Sequence, residues 1–221
     1  MKPDNVHSVL LIGSSQIEAS ILFQCAVYFA EQGEKVLYIS SSEIKALPTS
    51  IHGVPPPSSS SLSHIRFMYL PKWQDLFQHL YSLHQHAHIP NIVLVDGLHH
   101  YCYIEDGKGQ LKMHAALVCA SLLDSMSVCV KYTHKPAVFI ASLQADPNLC
   151  PILDTFFSDS MWLTDSFDED GIVALTKVTY PEQQNTTKME FNLRNKDGVL
   201  VLNKILQVLN YHTKPTAIDK I

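Results

Sequence analysis

The chain has 221 residues, 46% of them apolar and 17% charged, enough to bury one substantial core. A net charge of −5 excludes a protein that coats nucleic acid by bulk attraction. The sum hides a gradient, with nine Lys/Arg against seventeen Asp/Glu through Gly171 and seven against four from Ile172 onward. Five cysteines, an odd number with no C-x-x-C pair, point neither to a disulfide framework nor to a cysteine zinc site. No apolar leader precedes Val9, and the apolar runs read as strand-sized or amphipathic, short of the ~20 residues of a membrane span; the expectation is an intracellular protein.

The first element is the run V-L-L-I-G-S-S-Q-I-E-A-S, Val9 to Ser20: a buried strand, a glycine, then a loop opening into a helix. Its spacing is that of the phosphate-binding loop GxxxxGK[ST], with Gly13 and Ser20 in place and Glu18 and Ala19 where the second glycine and the lysine belong. Such a loop wraps phosphates with backbone N–H groups, and its lysine neutralises the β/γ-phosphates. Without them the loop is a degenerate nucleotide site. Ile17, Ile21, Leu22, Cys25, Ala26 and Phe29 then recur at helical spacing up to Gly33, a C-cap glycine. Lys35 to Ser40 reads as a second buried strand, completing a βαβ unit.

Pro55-Pro56-Pro57 and Ser58 to Ser61 read as a surface insertion with no packed element. Ile65 to Tyr69 is a short strand, and Pro71 introduces a helix placing Trp73, Leu76, Phe77, Leu80, Tyr81 and His84 on one face. Ile92 to Asp96 is four apolar residues ending in an acid, the pattern by which a buried strand delivers a carboxylate to Mg²⁺. Gly97 to Gln110 has no period and reads as an exposed loop; Leu111 to Tyr132 is a long helix; Ala137 to Gln144 is another buried strand. Beyond it M-W-L-T, Gly171 to Tyr180, Lys188 to Arg194 and Val199 to Leu202, with an Asp197-Gly198 turn, describe an antiparallel β region. The layout is α/β: one domain with a parallel core over about 6–165, a β-hairpin extension over about 166–205 and a tail over 206–221.

The degenerate loop, the apolar strand ending in Asp96, the strand ending at Gln144 and the terminal hairpins occur in the order of a RecA-like P-loop core, a mostly parallel sheet flanked by helices. Ile65 to His84 and N-I-V-L-V-D-G-L-H-H-Y, Asn91 to Tyr101, further resemble the ATPase-like recombinase paralogs that accompany a SWIM-domain zinc-binding protein in animal Shu-type complexes. That resemblance covers the first two-thirds of the chain. It implies a nuclear accessory factor of homologous recombination and DNA-damage repair: a heterodimer with the SWIM-domain protein that supports a RecA-type recombinase filament on single-stranded DNA. Glu18 and Ala19 depart from the family's intact loop, so no catalytic residue is assigned, and Mg-ATP is the one cofactor to weigh. The rival is an active or nucleotide-switched ATPase with a lysine supplied in trans or by Lys35, Lys45 or Lys108.

The nucleotide candidates are therefore Gly13, Glu18, Ala19, Ser20, Asp96 and Gln144. Glu18 is either a built-in anion at the phosphate position or a carboxylate complementing the helix dipole. Ser20 is a metal ligand or a small polar residue in the first turn, and Asp96 a Mg²⁺ ligand or a hydrogen-bonded acid at a strand end. Gln144 sits where RecA-like proteins couple the nucleotide site to a DNA-contacting loop. His99, His100, Tyr101, Tyr103 and Lys108 form the DNA candidate, able to stack on or pair with a single strand, opposed by Glu105 and Asp106. His79, His84, His86 and His88 lack the further ligand of a zinc site. Phe23-Gln24-Cys25-Ala26 has the F-x-x-A form that captures recombinase partners but falls on the core face of its helix.

Overall fold

The computed structural model describes residues 5–13, 17–54, 56–85, 88–104, 110–146, 148–157, 160–178 and 187–209. Its elements are β1 (Val6–Gly13), α1 (Ile17–Glu31), β2 (Val36–Ser40), β3 (Ser50–Ile51), α2 (Ser59–Leu62), β4 (Ile65–Tyr69), α3 (Trp73–Ser82), β5 (Ile92–Asp96), α4 (His99–Cys102), α5 (Leu111–Thr133), β6 (Ala137–Gln144), α6 (Cys150–Phe156), β7 (Ser160–Thr164), β8 (Ile172–Val178), β9 (Thr187–Lys196) and β10 (Val199–Leu209). Among the described residues the strands make one sheet in the order β3-β10-β9-β8-β7-β1-β6-β5-β2-β4.

From β1 to β4 every pairing is parallel, and β6 lies between β1 and β5. These strands are apolar at successive positions because helices cover both faces: Val36 to Ser40 are all buried, as are Ile92 to Val95. On one face α1 sets Leu22, Phe23, Ala26 and Val27 against Leu11, Tyr38 and Leu94. On the other, α3, α5 and α6 bury Leu76, Leu80, Val118, Leu122 and Leu153 against Leu10, Leu37, Val95 and Phe139. At ~1.5–3 kcal/mol for each large side chain so buried, these two layers dominate the stability of the fold.

Several expectations change. β7 pairs parallel with β1 and antiparallel with β8, so it closes the parallel core and starts the antiparallel extension at once. The Pro/Ser stretch is not featureless: Ser58 caps α2 through reciprocal bonds with Ser61, its hydroxyl accepting from the Ser61 N–H at 3.1 Å. α5 is, by length and composition, long and apolar enough to cross a membrane, contrary to the reading of the runs. Its buried stripe, with Ala115, Val118, Leu122 and Met126 packed into the core, is that of a helix lying on a sheet. On α3, Tyr81 is 68% exposed and His84 falls in the following 3-10 turn, Leu83–Gln85, because the helix ends a turn early. Asp197 and Gly198 turn at φ of 52° and 79°, the left-handed pair a tight hairpin requires, which makes the β9–β10 hairpin legible from two residues. β10 runs to Leu209, past the expected start of the tail, and residues 210–221 lie outside the described set.

Candidate functional site

The parallel strands end together. Gly13 is in register with Gln144, and Ser40 with Asp96, so the carboxyl edge collects the ends of β1, β6, β2 and β5. The cleft there, of about 440 Å³, is lined by Gly13, Glu18, Ala19, Ser40, Asp96, His99, His100 and Gln144 among others. Open α/β sheets place their ligands at this edge. Five of the six sequence-predicted nucleotide residues therefore meet. Ser20 does not join them: it is buried and is not part of the cleft lining.

Glu18, in the first turn of α1, is 5% exposed. It does not reach outward along the helix axis. The Thr164 hydroxyl, at the end of β7, donates to Glu18 Oε1 and also lies 3.3 Å from the Ile12 carbonyl oxygen. The carboxyl group and the hydroxyl lie against Gly13, where a Cβ would collide with both. Gly13 is thus needed for the close approach of a side chain of the protein itself. The Glu18–Thr164 contact ties helix, first strand and seventh strand together, and a hydrogen bond to a carboxylate of this kind is worth ~1.5–3 kcal/mol.

Asp96 is held on both oxygens. The Ser142 hydroxyl donates to Oδ1 at 2.9 Å and accepts the Gly97 N–H at 2.8 Å, while the Tyr38 hydroxyl donates to Oδ2 at 3.3 Å. Burial, reinforced by the Asp96 carboxylate, pushes the Tyr38 hydroxyl pKa well up, which keeps it a donor. Thr164, Ser142, Tyr38 and Ser40 to Ser42 were not singled out in the sequence. The available signal was weak: a hydroxyl interrupting an apolar strand two residues before its polar end, as Ser142 does before Gln144.

The segment after Asp96 is not a loop throughout. α4 is a single turn that buries Tyr101 and Cys102, and the Tyr101 hydroxyl donates to the Leu70 carbonyl at 2.8 Å. Tyr101 is 0% exposed, which takes it out of the set able to stack on a base. His100 packs under Gly97, whose φ is 73° and whose hypothetical Cβ would lie 2.7 Å from the ring. The His99 and His100 ring centroids are 4.1 Å apart, and His99 Nδ1 accepts the Gln144 backbone N–H at 3.2 Å. Burial and the neighbouring His100 push the His99 pKa down, against the pull of Asp96. The neutral ring that accepts from Gln144 is therefore favoured. Tyr103 is 47% exposed and donates to Asp146, raising its own pKa to about 12 chiefly through that bond. Lys108 lies outside the described residues, as do residues 14–16 of the phosphate loop. Among the described residues no cluster of three or more metal-ligating side chains occurs.

Phe23 and Ala26 are buried in the core beneath α1, as their helical position implied. Cys25, Cys102, Cys119 and Cys129 are free thiols whose pKa values burial raises, which suits packing rather than reactivity.

No family model matches the chain, and no curated protein matches it. Among solved structures it is similar to a DnaB-like replicative helicase described with its interactions with primase, at a TM-score of 0.55 and 10% identity. The match covers 92% of this chain and 58% of the helicase chain, so the chain spans little more than half of that protein. At this identity the likeness establishes the RecA-like α/β fold, a mostly parallel sheet with antiparallel strands toward the C-terminus.

Proposed function

We propose that the chain is a non-hydrolysing RecA-like scaffold, an accessory subunit of recombinational DNA repair that pairs with a SWIM-domain zinc-binding protein. In this reading it supports a RecA-type recombinase filament in the nucleus and contributes to contact with single-stranded DNA. One observation carries the non-hydrolysing part: the Glu18 carboxylate, bonded to Thr164, packs against Gly13, at the point where the loop of an active site must leave backbone N–H groups bare for phosphates. Ala19 beside it supplies no charge. A phosphate chain entering this cleft meets Glu18 and Asp96 with no lysine between them among the lining residues, an unfavourable field for a polyanion. Mg²⁺ held by Asp96 would offset part of that repulsion, but Asp96 already receives the Ser142 and Tyr38 hydroxyls.

The fold is independent of the lost chemistry. Strand β1, helix α1 and the Glu18–Thr164 tie keep the turn as a packing element, and the sheet edge remains available to present its segments to partners. The partner and pathway come from the sequence resemblance, carried by the I-R-F-M-Y strand and the D-G-L-H-H-Y turn.

Two measurements test the reading. Titration with Mg-ATP is expected to leave the carboxyl-edge amides of 97–100 and 143–145 of the wild type unshifted and to give no turnover, whereas the E18G/A19K double variant, which restores GxxxxGK[ST], is expected to shift those amides on binding. Tight binding and turnover in the wild type, abolished by Asp96→Asn, would replace the scaffold with a nucleotide switch. Co-expression with a SWIM-domain protein is expected to yield a stable heterodimer; a purified monomer with no association would overturn the family part.

A further inference from the structure

A second cavity, of about 520 Å³, opens at the opposite end of the strands. Lys35 stands immediately before β2, His64 immediately before β4, Arg66 one residue into β4, and His88 shortly before β5; Leu37, Leu83 and Pro90 supply apolar wall. Two cationic and two imidazole side chains thus line this pocket, with no carboxylate in the lining.

The nearby acid is removed from the pocket by its own partners. Glu34 takes the Lys135 ammonium at 3.0 Å and the Asn91 side-chain amide at 2.7 Å, and these bonds, Lys135 first, hold its carboxyl below the usual range. Lys35 and Arg66 are left without an acidic partner among the described residues. The side chains of Lys35, His64, Arg66 and His88 are exposed, while the backbone that carries them is fixed. The Lys35 carbonyl accepts the N–H groups of Asn91 and Ile92 at 3.3 and 3.2 Å, and its own N–H donates to Asn91 Oδ1 at 3.2 Å. The Val36 N–H donates to the His64 carbonyl at 3.0 Å, and His64 Nδ1 lies 3.0 Å from the Ser60 carbonyl in the capped α2 turn. Arg66 is in register with the core residue Leu37, so its stem leaves from the face that α3 and the Leu83 turn cover.

We infer that this amino-end pocket binds an organic phosphate with a planar body, of nucleotide size. Lys35 supplies a mobile point charge for the phosphate and Arg66 a planar fork able to bind it bidentately. The imidazoles of His64 and His88 offer flat surfaces to a ring, and the volume falls in the ordinary range of small-ligand sites. The shared chemistry is a nucleoside phosphate, presented free or as a nucleotide of a single strand. The site is separate from the carboxyl-edge cleft, so its failure would leave the scaffold reading untouched.

The test titrates the full chain, in magnesium-free buffer, with adenosine monophosphate, with an oligothymidylate and with inorganic phosphate, following backbone amides by NMR and affinity by calorimetry. The amides of 35–37 and 63–66 are expected to shift, and affinity to fall at least tenfold in K35Q/R66Q but not in the charge-matched K112Q/K131Q. Monophosphate binding with that pattern assigns a free nucleotide; oligonucleotide binding alone with that pattern assigns a strand. No binding by the wild type, an equal loss in the two double variants, or inorganic phosphate competing as well as the mononucleotide overturns the inference.

Discussion

At the carboxyl ends of the parallel strands, Glu18, Asp96 and Asp146 each receive a hydroxyl of the protein itself, from Thr164, from Ser142 and Tyr38, and from Tyr103. At the amino ends of β2 and β4, Lys35 and Arg66 stand unpaired with any described acid because Glu34 is turned to Lys135 and Asn91. Both regions border cavities of similar volume, about 440 and 520 Å³, at opposite ends of the parallel sheet, with β2 reaching both. The fold alone would favour the first as the ligand site. Charge reverses that preference for an anion, because a cleft's position sets what can reach it while its fixed charges set the sign of what stays.

The carboxyl end is most sensitive to changes in its buried residues. Tyr101→Ala removes a fully buried ring and is expected to cost ~3–5 kcal/mol in denaturant titration, and Tyr101→Phe, which orphans the Leu70 carbonyl, ~1–3 kcal/mol. If Tyr101→Ala were near neutral, α4 would not be packed as described. Asp96→Ala strips the Ser142 and Tyr38 hydroxyls of their acceptor and is expected to cost ~1–3 kcal/mol, without changing mononucleotide affinity at the amino end. A change in that affinity would couple the two ends and refute their independence.

A smaller effect follows pH. His99 and His114 both have depressed pKa values, in each case chiefly through burial. The unfolded chain then binds more protons than the folded one once pH falls below the ordinary histidine value of ~6.5. Stability is expected to be full above that value and to decline as pH drops through the folded-state values, seen as a lower Tm at pH 5.5 than at 7.5. His99→Gln should flatten part of the decline; an unchanged slope would remove His99 from the account. The smallest effect belongs to Glu34→Gln, which loses an exposed ion pair worth ~0–1 kcal/mol and is expected to strengthen anion binding beside it slightly.

How much of this could be read beforehand depends on the range of the interaction. The hhhhD pattern at Ile92 to Asp96 and the spacing from Gly13 to Ser20 located the carboxyl edge, since an apolar run bounded by punctuating residues is a local signal of a buried strand. Tyr101 reads as an exposed aromatic from its sequence because its burial depends on Leu70, thirty-one positions away and on another segment. The Pro/Ser stretch reads as a linker because the one-turn capped helix there is set by side-chain bonds between Ser58 and Ser61 that composition does not distinguish from a linker. The basic side chains of the amino end, Lys35, His64, Arg66 and His88, are scattered along the chain and come together only where three strand starts align.

An α/β chain, a phosphate-loop motif lacking its glycine and lysine, an acid at the end of a buried strand and a β-hairpin extension each follow from residues close together in the sequence. Tertiary structure decided what those residues do. Thr164 stands one hundred and forty-six positions from Glu18, and only parallel pairing of β7 with β1 brings its hydroxyl to that carboxylate. Burial then makes the pair a closure over Gly13 instead of a solvated charge at a helix end, since a carboxylate removed from water must be satisfied by the protein that buries it.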